Sequence, residues 1–549
     1  MAKSKSTKKV KEVTLEQALW DCRVALRGVG SSEKNRDAII GLVFIMFASD
    51  KFEKCREKII EEYGDIPVFT EDKAFYLSEN VYFLDETSRW SYIVREASAD
   101  DIAVKIDKAM ASIEELNPEA LKGALPSDNF YVKLGASKSV IKGLIDAINK
   151  INSESFKEDD LIGRTYEYFL KNYAAAGSKD DGEFYTPASV VKLIAELIEP
   201  FDGTVYDPCC GTGGMFVQSL KFVNEHNGMK ENISVIGQES NPDTWRLAKM
   251  NLAIRGIAHN LGERNASTFT EDLHKDTTVN YIMANPPFNL KGWRKEDELK
   301  DDCRFVNSSA MPPVSNANYA WILHMISKLD VNNGIAGFLL ANGALNADGN
   351  EATIRKEIIK NDKVEAIIVL PRDMFYTTDI SVTLWILNNN KKAETKNGRQ
   401  LRDRQHEVLF VDLRTWGGNV ETYKLDKNKT KKKNVFTDEQ IENIKKIYFG
   451  WQSTDTSQYE DIPELCKSVK TLNEFLTDME KENKTVTIES KKFSLAPSKY
   501  IEFIDHDLDI DYEKEMARIQ QEMKNIIKQE KASQRMLVEA FKGIGYDIK

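Results

Sequence analysis

Seven short apolar runs recur between residues 203 and 414: GTVYD (203–207), ISVIGQE (233–239), VNYIMAN (279–285), GIAGFLLAN (334–342), VEAIIVLP (364–371), VTLWILN (382–388) and EVLFVDLR (407–414). Their length and their wealth of β-branched residues read as strands. Helix-like stretches such as NPDTWRLAKMNLAIRG and NEATIRKEIIKN lie between them. Strand–helix alternation of this kind folds into a mostly parallel sheet covered on both faces. Ligands of such folds bind beyond the carboxyl ends of the strands, so chemistry belongs just after each run.

The flanks have a different texture. Leu15, Ala18, Leu19, Cys22 and Leu26 recur at helical spacing, SSEKNRDAIIGL offers a capping serine, and SKSVIKGLIDAINKI (137–151) is amphipathic. Residues 14 to about 155 are therefore expected to be helical. The run AIIGLVFIMFA (38–48) is too short to span a bilayer and reads as a buried helix. The basic start MAKSKSTKKV has no apolar stretch behind it, so it reads as a disordered tail rather than an export signal. After about residue 420 the chain turns polar and helical, beginning with the lysine-rich KNKTKKKNV. At the end, Tyr512, Met516, Ile519, Met523 and Ile526 form a coiled-coil-like seam that Leu537, Ala540 and Ile544 resume. Such a seam packs on its own domain or docks on another subunit, and the spacing does not choose between them.

Bulk properties set limits. A chain of 549 residues exceeds one compact core, so two or three domains are expected. The net charge of −11 argues against coating nucleic acid by bulk charge, but not against local basic patches. Six cysteines without CxxC or His partners imply reduced thiols, no metal site and a cytoplasmic protein.

Four constellations follow the strands. In VYDPCCGTGGM (205–215), Asp207 ends a strand and glycines allow a tight turn close to a ligand. The loop lacks the Gly-Lys-Ser/Thr of a phosphate loop, and Phe216 replaces the third glycine of a dinucleotide fingerprint. Asp207 there suits a cationic or amino-bearing ligand. Glu239, ending the next strand, can accept both hydroxyls of a ribose or simply serve as a helix N-terminal acid. Asp272 in TEDLH can accept from an adenine amino group or act as a cap. Finally, Asn285-Pro286-Pro287-Phe288 closes a strand with two residues that lack an N–H. Pro287 restricts Pro286, fixing its carbonyl, so that carbonyl and the Asn285 side-chain oxygen can accept both protons of an exocyclic amine. Phe288 offers a face on which a base can stack. The lysines and arginine that follow, Lys291, Arg294 and Lys295, are either phosphate contacts or a solvated cluster.

These residues resemble the amino-methylating methyltransferases, and the chain as a whole resembles the modification subunit of type I restriction–modification systems. LWDCRVALRG and IIGLVFIMFASDKFE are similar to that family's helical N-terminal domain, and LIGRTYEYFLKNYA and GEFYTPASVVKLIAELIEP to its link into the core. DPCCGTGGM, NPPFN, NANYAWILHMI, LPRDMFYTTDISVTLWIL and LAPSKYIEF follow in the family's order.

The resemblance implies an α/β Rossmann-like methyltransferase core with a mostly parallel seven-stranded sheet, an all-helical N-terminal domain and a C-terminal helical tail. The expected boundaries are a tail at 1–13, helical domain at 14–155, methyltransferase domain at 156–420 and C-terminal region at 421–549, with a partner-docking helix at 512–545. It also implies S-adenosylmethionine as methyl donor. Phe184, Tyr185, Thr186, Pro187, Asp207, Gly211 and Gly213 would line its methionine end, with Glu239 at the ribose and Asp272 at the adenine. Asn285, Pro286, Pro287 and Phe288 would hold the target base. Two departures stand out: Cys209 replaces a usual alanine, and Asn280 a usual aspartate.

The implied reaction is direct methyl transfer to the N6 amino group of adenine in duplex DNA, with the base flipped into the pocket. Cys209 lies inside the cofactor loop, so the Pro208-Cys209 pair does not read as a cytosine-5 nucleophile. With no recognisable target-recognition module, sequence choice is expected from a separate specificity subunit. Two copies of this chain would serve each one, with a restriction subunit as an optional further partner. The rival readings are a standalone DNA adenine methyltransferase, a protein glutamine methyltransferase, an N4-cytosine methyltransferase and a non-catalytic DNA-binding scaffold.

Overall fold

The computed structural model describes residues 15–79, 81–126, 128–151, 186–226, 228–229, 232–375, 378–426, 429–504 and 512–543. They belong to two compact units, Met1–Tyr500 and Ile501–Lys549. The expected tail at 1–13 and most of the link into the core lie outside the described residues.

From Leu15 to Asn149 every regular element among the described residues is helical, as the apolar spacing predicts. The longest helix, Ser32–Tyr63, is capped by the Ser31 hydroxyl oxygen, which accepts the Lys34 N–H at 3.3 Å. Its apolar run is buried, and Leu247, Met250, Ala253 and Ile254 of the helix Pro242–Ile254 join the same core. The helical layer and the sheet layer are thereby packed into one body.

In chain order the strands are β1 (Gly203–Asp207), β2 (Ile233–Gly237), β3 (His259–Asn260), β4 (Tyr281–Ala284), β5 (Ile335–Ala341), β6 (Val364–Val369), β7 (Val382–Asn388), β8 (Glu394–Lys396), β9 (Arg399–Leu401), β10 (Glu407–Asp412), β11 (Val420–Asp426), β12 (Lys429–Asn434) and β13 (Cys466–Lys470). Nine of them form one sheet in the order β13-β10-β6-β7-β5-β4-β1-β2-β3. Pairing is parallel from β3 through β5 and between β6 and β10. It is antiparallel where β7 enters between β5 and β6, and at β13.

All seven expected runs are strands, but the sheet has nine rather than seven. The additions are the two-residue β3 and the polar β13, CKSVK, neither long nor apolar enough to read as a strand. Residues 421–549 are likewise not all helical. The lysine-rich stretch forms the β11–β12 hairpin, because cross-strand pairing overrides the helix preference of lysine.

The chain leaves β1 toward β2 and β3, then returns to lay β4 on the other side of β1. That reversal opens a crevice beyond the carboxyl ends of β1 and β4. In the second unit, Tyr512–Gly543 is one continuous helix, and Met516, Ile519, Met523, Ile526 and Leu537 are 38–62% exposed. The seam's last residue, Ile544, lies outside the described residues. No helix among the described residues is long and apolar enough to cross a membrane.

Candidate active site

β1 delivers Asp207 to the crevice, where it is 2% exposed. Its Oδ1 accepts the Cys209 N–H at 3.0 Å, which curls the chain into the glycine loop. Gly211 and Gly213 both take positive φ, 53° and 79°, a region that costs other residues a steric penalty. A Cβ at Gly211 would meet nothing within 4 Å, whereas one at Gly213 would lie against Leu252. The loop is therefore packed from below and open from above, as a ligand cradle must be.

Glu239 follows β2 and braces this loop. Its Oε2 accepts the Gly211 N–H at 3.0 Å and its Oε1 the Asn241 N–H at 2.8 Å. Burial pushes the Glu239 carboxyl above its ordinary value. Burial, reinforced by Glu239, also pushes Asp207 from 3.8 up to about 7. Two buried acids beside an open glycine turn favour a ligand that brings positive charge or hydrogen-bond donors.

A pH effect follows. The folded chain keeps a proton on Asp207 between 3.8 and about 7, so this group's contribution to stability is lost as pH rises through that window. Binding a cation expels the proton, so S-adenosylmethionine affinity is expected to rise between pH 6 and pH 8. Calorimetric titration checks this: Asp207→Asn should flatten the rise, and an unchanged pH profile in that variant would contradict it.

Asp272 is engaged by the chain's own groups. Its Oδ2 accepts the Lys328 ammonium at 2.7 Å, with Arg304 at 3.9 Å, and its Oδ1 accepts the His274 N–H at 3.0 Å. Burial pushes its carboxyl up, but Lys328 and His324 outweigh this and hold it below its ordinary value. With Oδ2 on the Lys328 ammonium and Oδ1 on a backbone N–H, Asp272 holds its segment in place. Arg304 adds to this hold by donating to the carbonyls of Thr268 and Phe269. The residues that run beside Glu239 are instead Asn265–Ser267: the Ala266 N–H donates to the Glu239 carbonyl at 2.9 Å and Asn265 Nδ2 to the Ser240 carbonyl at 2.7 Å. They carry no acid, so the sequence does not single them out.

At the end of β4, Asn285 is 9% exposed. Its Nδ2 donates to Thr186 Oγ1 at 2.9 Å, which fixes the orientation of the carboxamide. Its Oδ1 is buried and has no hydrogen-bond partner among the described residues. Pro286 is buried, Pro287 and Phe288 half-buried. The Phe288 ring meets Phe375 edge-on at 6.1 Å. The turn that follows is held by a reciprocal pair: the Asn289 N–H donates to Asn318 Oδ1 at 3.0 Å and Asn318 Nδ2 to Asn289 Oδ1 at 2.9 Å. NANYAW, singled out only as a motif, thus acts as the brace of the Asn-Pro-Pro-Phe corner.

Thr186 and Pro187 lie at this corner's side of the crevice, just ahead of the helix Ala188–Ile198. Phe184 and Tyr185 lie outside the described residues. Asn280 sits at the opposite end of the sheet, where its Oδ1 accepts the Thr204 N–H at 2.9 Å. An oxygen in that position is all the strand needs, so the departure from aspartate leaves the pairing intact. Of the basic cluster, Lys291 and Lys295 are exposed, while Arg294 donates to the carbonyls of Lys295, Glu296 and Pro312 and braces its own loop.

Residues 157–494 match the N-6 DNA Methylase family model, and residues 15–149 match the HsdM N-terminal domain. The type I restriction enzyme HindI methylase subunit of Haemophilus influenzae is 39% identical over 73% of this chain and 83% of its own length. The MjaIX methylase subunit of Methanocaldococcus jannaschii is 32% identical over 97% of this chain and 91% of its own. In fold, the chain is similar to the type I restriction–modification methyltransferase subunit of Streptococcus thermophilus, with a TM-score of 0.70 at 22% identity, covering 89% of this chain and 99% of that one. The chain belongs to the N-6 DNA methylase family, among the methylase subunits of type I restriction enzymes.

Proposed function

We propose that this chain is the modification subunit of a type I restriction–modification system, methylating the N6 amino group of adenine in duplex DNA. The observation that carries the reading is the Asn285 carboxamide oxygen, buried without a partner beside the cofactor loop. An unpaired buried acceptor is costly unless a donor arrives, and an adenine amino group is such a donor.

S-adenosylmethionine, when bound, supplies the methyl group on its sulfonium. Asp207, Glu239, Gly211 and Gly213 would hold it, with Thr186 and Pro187, and in our reading Phe184 and Tyr185, at its methionine end. The Asn265–Ser267 segment is the better candidate for the adenine end than Asp272. Asn285 Oδ1 and the Pro286 carbonyl accept the two amino protons of the target base and draw its lone pair out of the ring. Phe288 stacks on the base. Rate comes from alignment and from acceptors set in advance for the charge that develops on nitrogen. Thr186 is a positioning residue, since its bond to Nδ2 fixes the orientation of the carboxamide.

The helical N-terminal domain and the terminal helix would grip a specificity subunit, two copies of this chain to each, acting in the cytoplasm with a restriction subunit as a further partner. Reconstitution tests this division of labour. Methyl transfer to duplex DNA is expected from the complex, and at low DNA concentration the chain alone should be slower by roughly a thousandfold or more, the usual gap between specific and non-specific binding. Equal rates with and without the partner would contradict it.

A further inference from the structure

The helix Pro242–Ile254 belongs to two cores at once. Trp245, Ala248 and Leu252 pack into the core built on the sheet, whereas Leu247, Met250 and Ala253 pack into that of the helical N-terminal domain. Spacings of three and four residues put each set on its own stripe of the helix. Asn251 is the polar exception, only 3% exposed. A buried carboxamide is costly unless both its ends are bonded, and here both are. Its Oδ1 accepts from Arg255, and its Nδ2 donates to the Thr212 carbonyl at 2.7 Å, in the middle of the glycine loop.

That bond completes the bracing of the loop. A peptide unit is planar and trans, so the Thr212 carbonyl and the Gly213 N–H point to opposite sides. The Gly213 N–H donates to the Cys210 carbonyl at 2.8 Å, so Asn251 and Cys210 together fix the orientation of the 212–213 peptide. The Cys210 and Gly211 N–H groups rest instead on Gln238 and Glu239, just after β2. Asn251 thus ties the loop to a helix whose own last turn is held from the N-terminal domain. The Tyr82 hydroxyl donates to the Ala253 carbonyl at 2.9 Å and the Lys51 ammonium to the Ile254 carbonyl at 3.4 Å, at the end where a helix leaves carbonyls open. One turn back, the Lys249 ammonium donates to the Lys122 carbonyl at 2.7 Å.

We propose that Asn251 is a positioning residue for the methyl-donor loop, and that through it the helical N-terminal domain sets the shape of that loop. This rests on the reading of the glycine loop as the S-adenosylmethionine site. A helix shifts as one rigid element, so a displacement at Tyr82 or Lys51 reaches the Thr212 carbonyl through Asn251. Linkage makes the effect reciprocal: a ligand in the loop steadies the last helical turn, and whatever holds that turn improves ligand binding.

Calorimetry on the full chain and initial rates on the assembled complex test this with two substitutions. Asn251→Asp keeps an oxygen for Arg255 but removes the N–H that serves Thr212. S-adenosylmethionine should bind it roughly tenfold more weakly, with kcat at saturating cofactor and the KM for DNA within about twofold of wild type. Tyr82→Phe keeps the ring beside Phe44 and removes only the hydroxyl, so a rise of about two- to threefold in the same dissociation constant is expected, again with kcat intact. A merely structural defect reads differently, because it lowers the active fraction and the apparent kcat while the folded remainder binds as before. Amide exchange adds a second readout: S-adenosylmethionine should slow exchange over residues 250–255 in the wild type and not in Asn251→Asp. Unchanged affinity in Asn251→Asp, with weakened binding in Asp207→Asn at pH 8, would overturn the proposal and leave the loop as the cofactor site. Unchanged affinity in both would overturn the site assignment and the proposal together. If Asn251→Asp does not fold, Tyr82→Phe decides, and wild-type affinity there would overturn the link to the N-terminal domain.

Discussion

Asn285→Ala is expected to lower the kcat of the assembled complex by roughly 10²- to 10³-fold, the usual cost of removing one preset group aimed at developing charge. The substitution removes Oδ1, the buried acceptor without a partner, and leaves the braced glycine loop untouched. S-adenosylmethionine affinity should therefore stay within about twofold of wild type, a pattern that marks an interaction used in the transition state. Single-turnover kinetics with calorimetry separates the two. Thr186 sharpens the comparison, because Thr186→Ser keeps the hydroxyl that holds Nδ2 whereas Thr186→Val removes it. The serine variant should turn over nearly as wild type and the valine variant should lose kcat. Near-normal kcat in Asn285→Ala would remove the corner from the mechanism.

The second large effect is on stability. Glu365 and Arg404 are both 0% exposed and paired at 3.0 Å. The same carboxylate accepts from Gln452 at 3.1 Å, Asn388 at 2.6 Å and the Tyr448 hydroxyl at 3.1 Å. Burial alone would raise the Glu365 acid, but Arg404 and the other donors hold it ionised, below its ordinary value. One side chain thus ties β6 to β7, to the turn before β10 and to the helix Asp438–Gln452. Glu365→Ala leaves the Arg404 charge buried and unpaired, which should cost about 3–5 kcal/mol. Urea unfolding of the purified chain measures it, and a loss below about 1 kcal/mol would show that water or rearrangement satisfies the arginine.

Glu365 also shows where sequence reading stops. VEAIIVLP is legible as a buried strand despite its acid, because the apolar run around it dominates. The four partners of that acid lie 23 to 87 residues away, and no local pattern announces them. The same holds at the site. Asp207, Glu239 and Asn285 stand out in the sequence because each lies at a strand end or within two residues of one. The hydrogen bond from Asn285 to Thr186 spans 99 residues, and the Asn289–Asn318 brace 29, so both required the fold. Asp272 shows the same limit: an acid in such a loop looks like a ligand group, and the sequence does not announce that Lys328 and Arg304 stand against it. The missed strands differ again. β3 is too brief to carry a period, and in β12 lysine follows lysine where a strand signal should alternate.

The most direct measurement is the identity of the methylated product. The wild-type complex and its Asn285→Ala form would be incubated with unmethylated duplex DNA and labelled S-adenosylmethionine, and the DNA digested to nucleosides and resolved by mass. N6-methyladenine as the labelled nucleoside, made by the wild type and lost in the variant, is the predicted result. Label in N4-methylcytosine or in protein, or no methylated base from a complex that binds both DNA and S-adenosylmethionine, would contradict the assignment of the Asn285 corner to adenine.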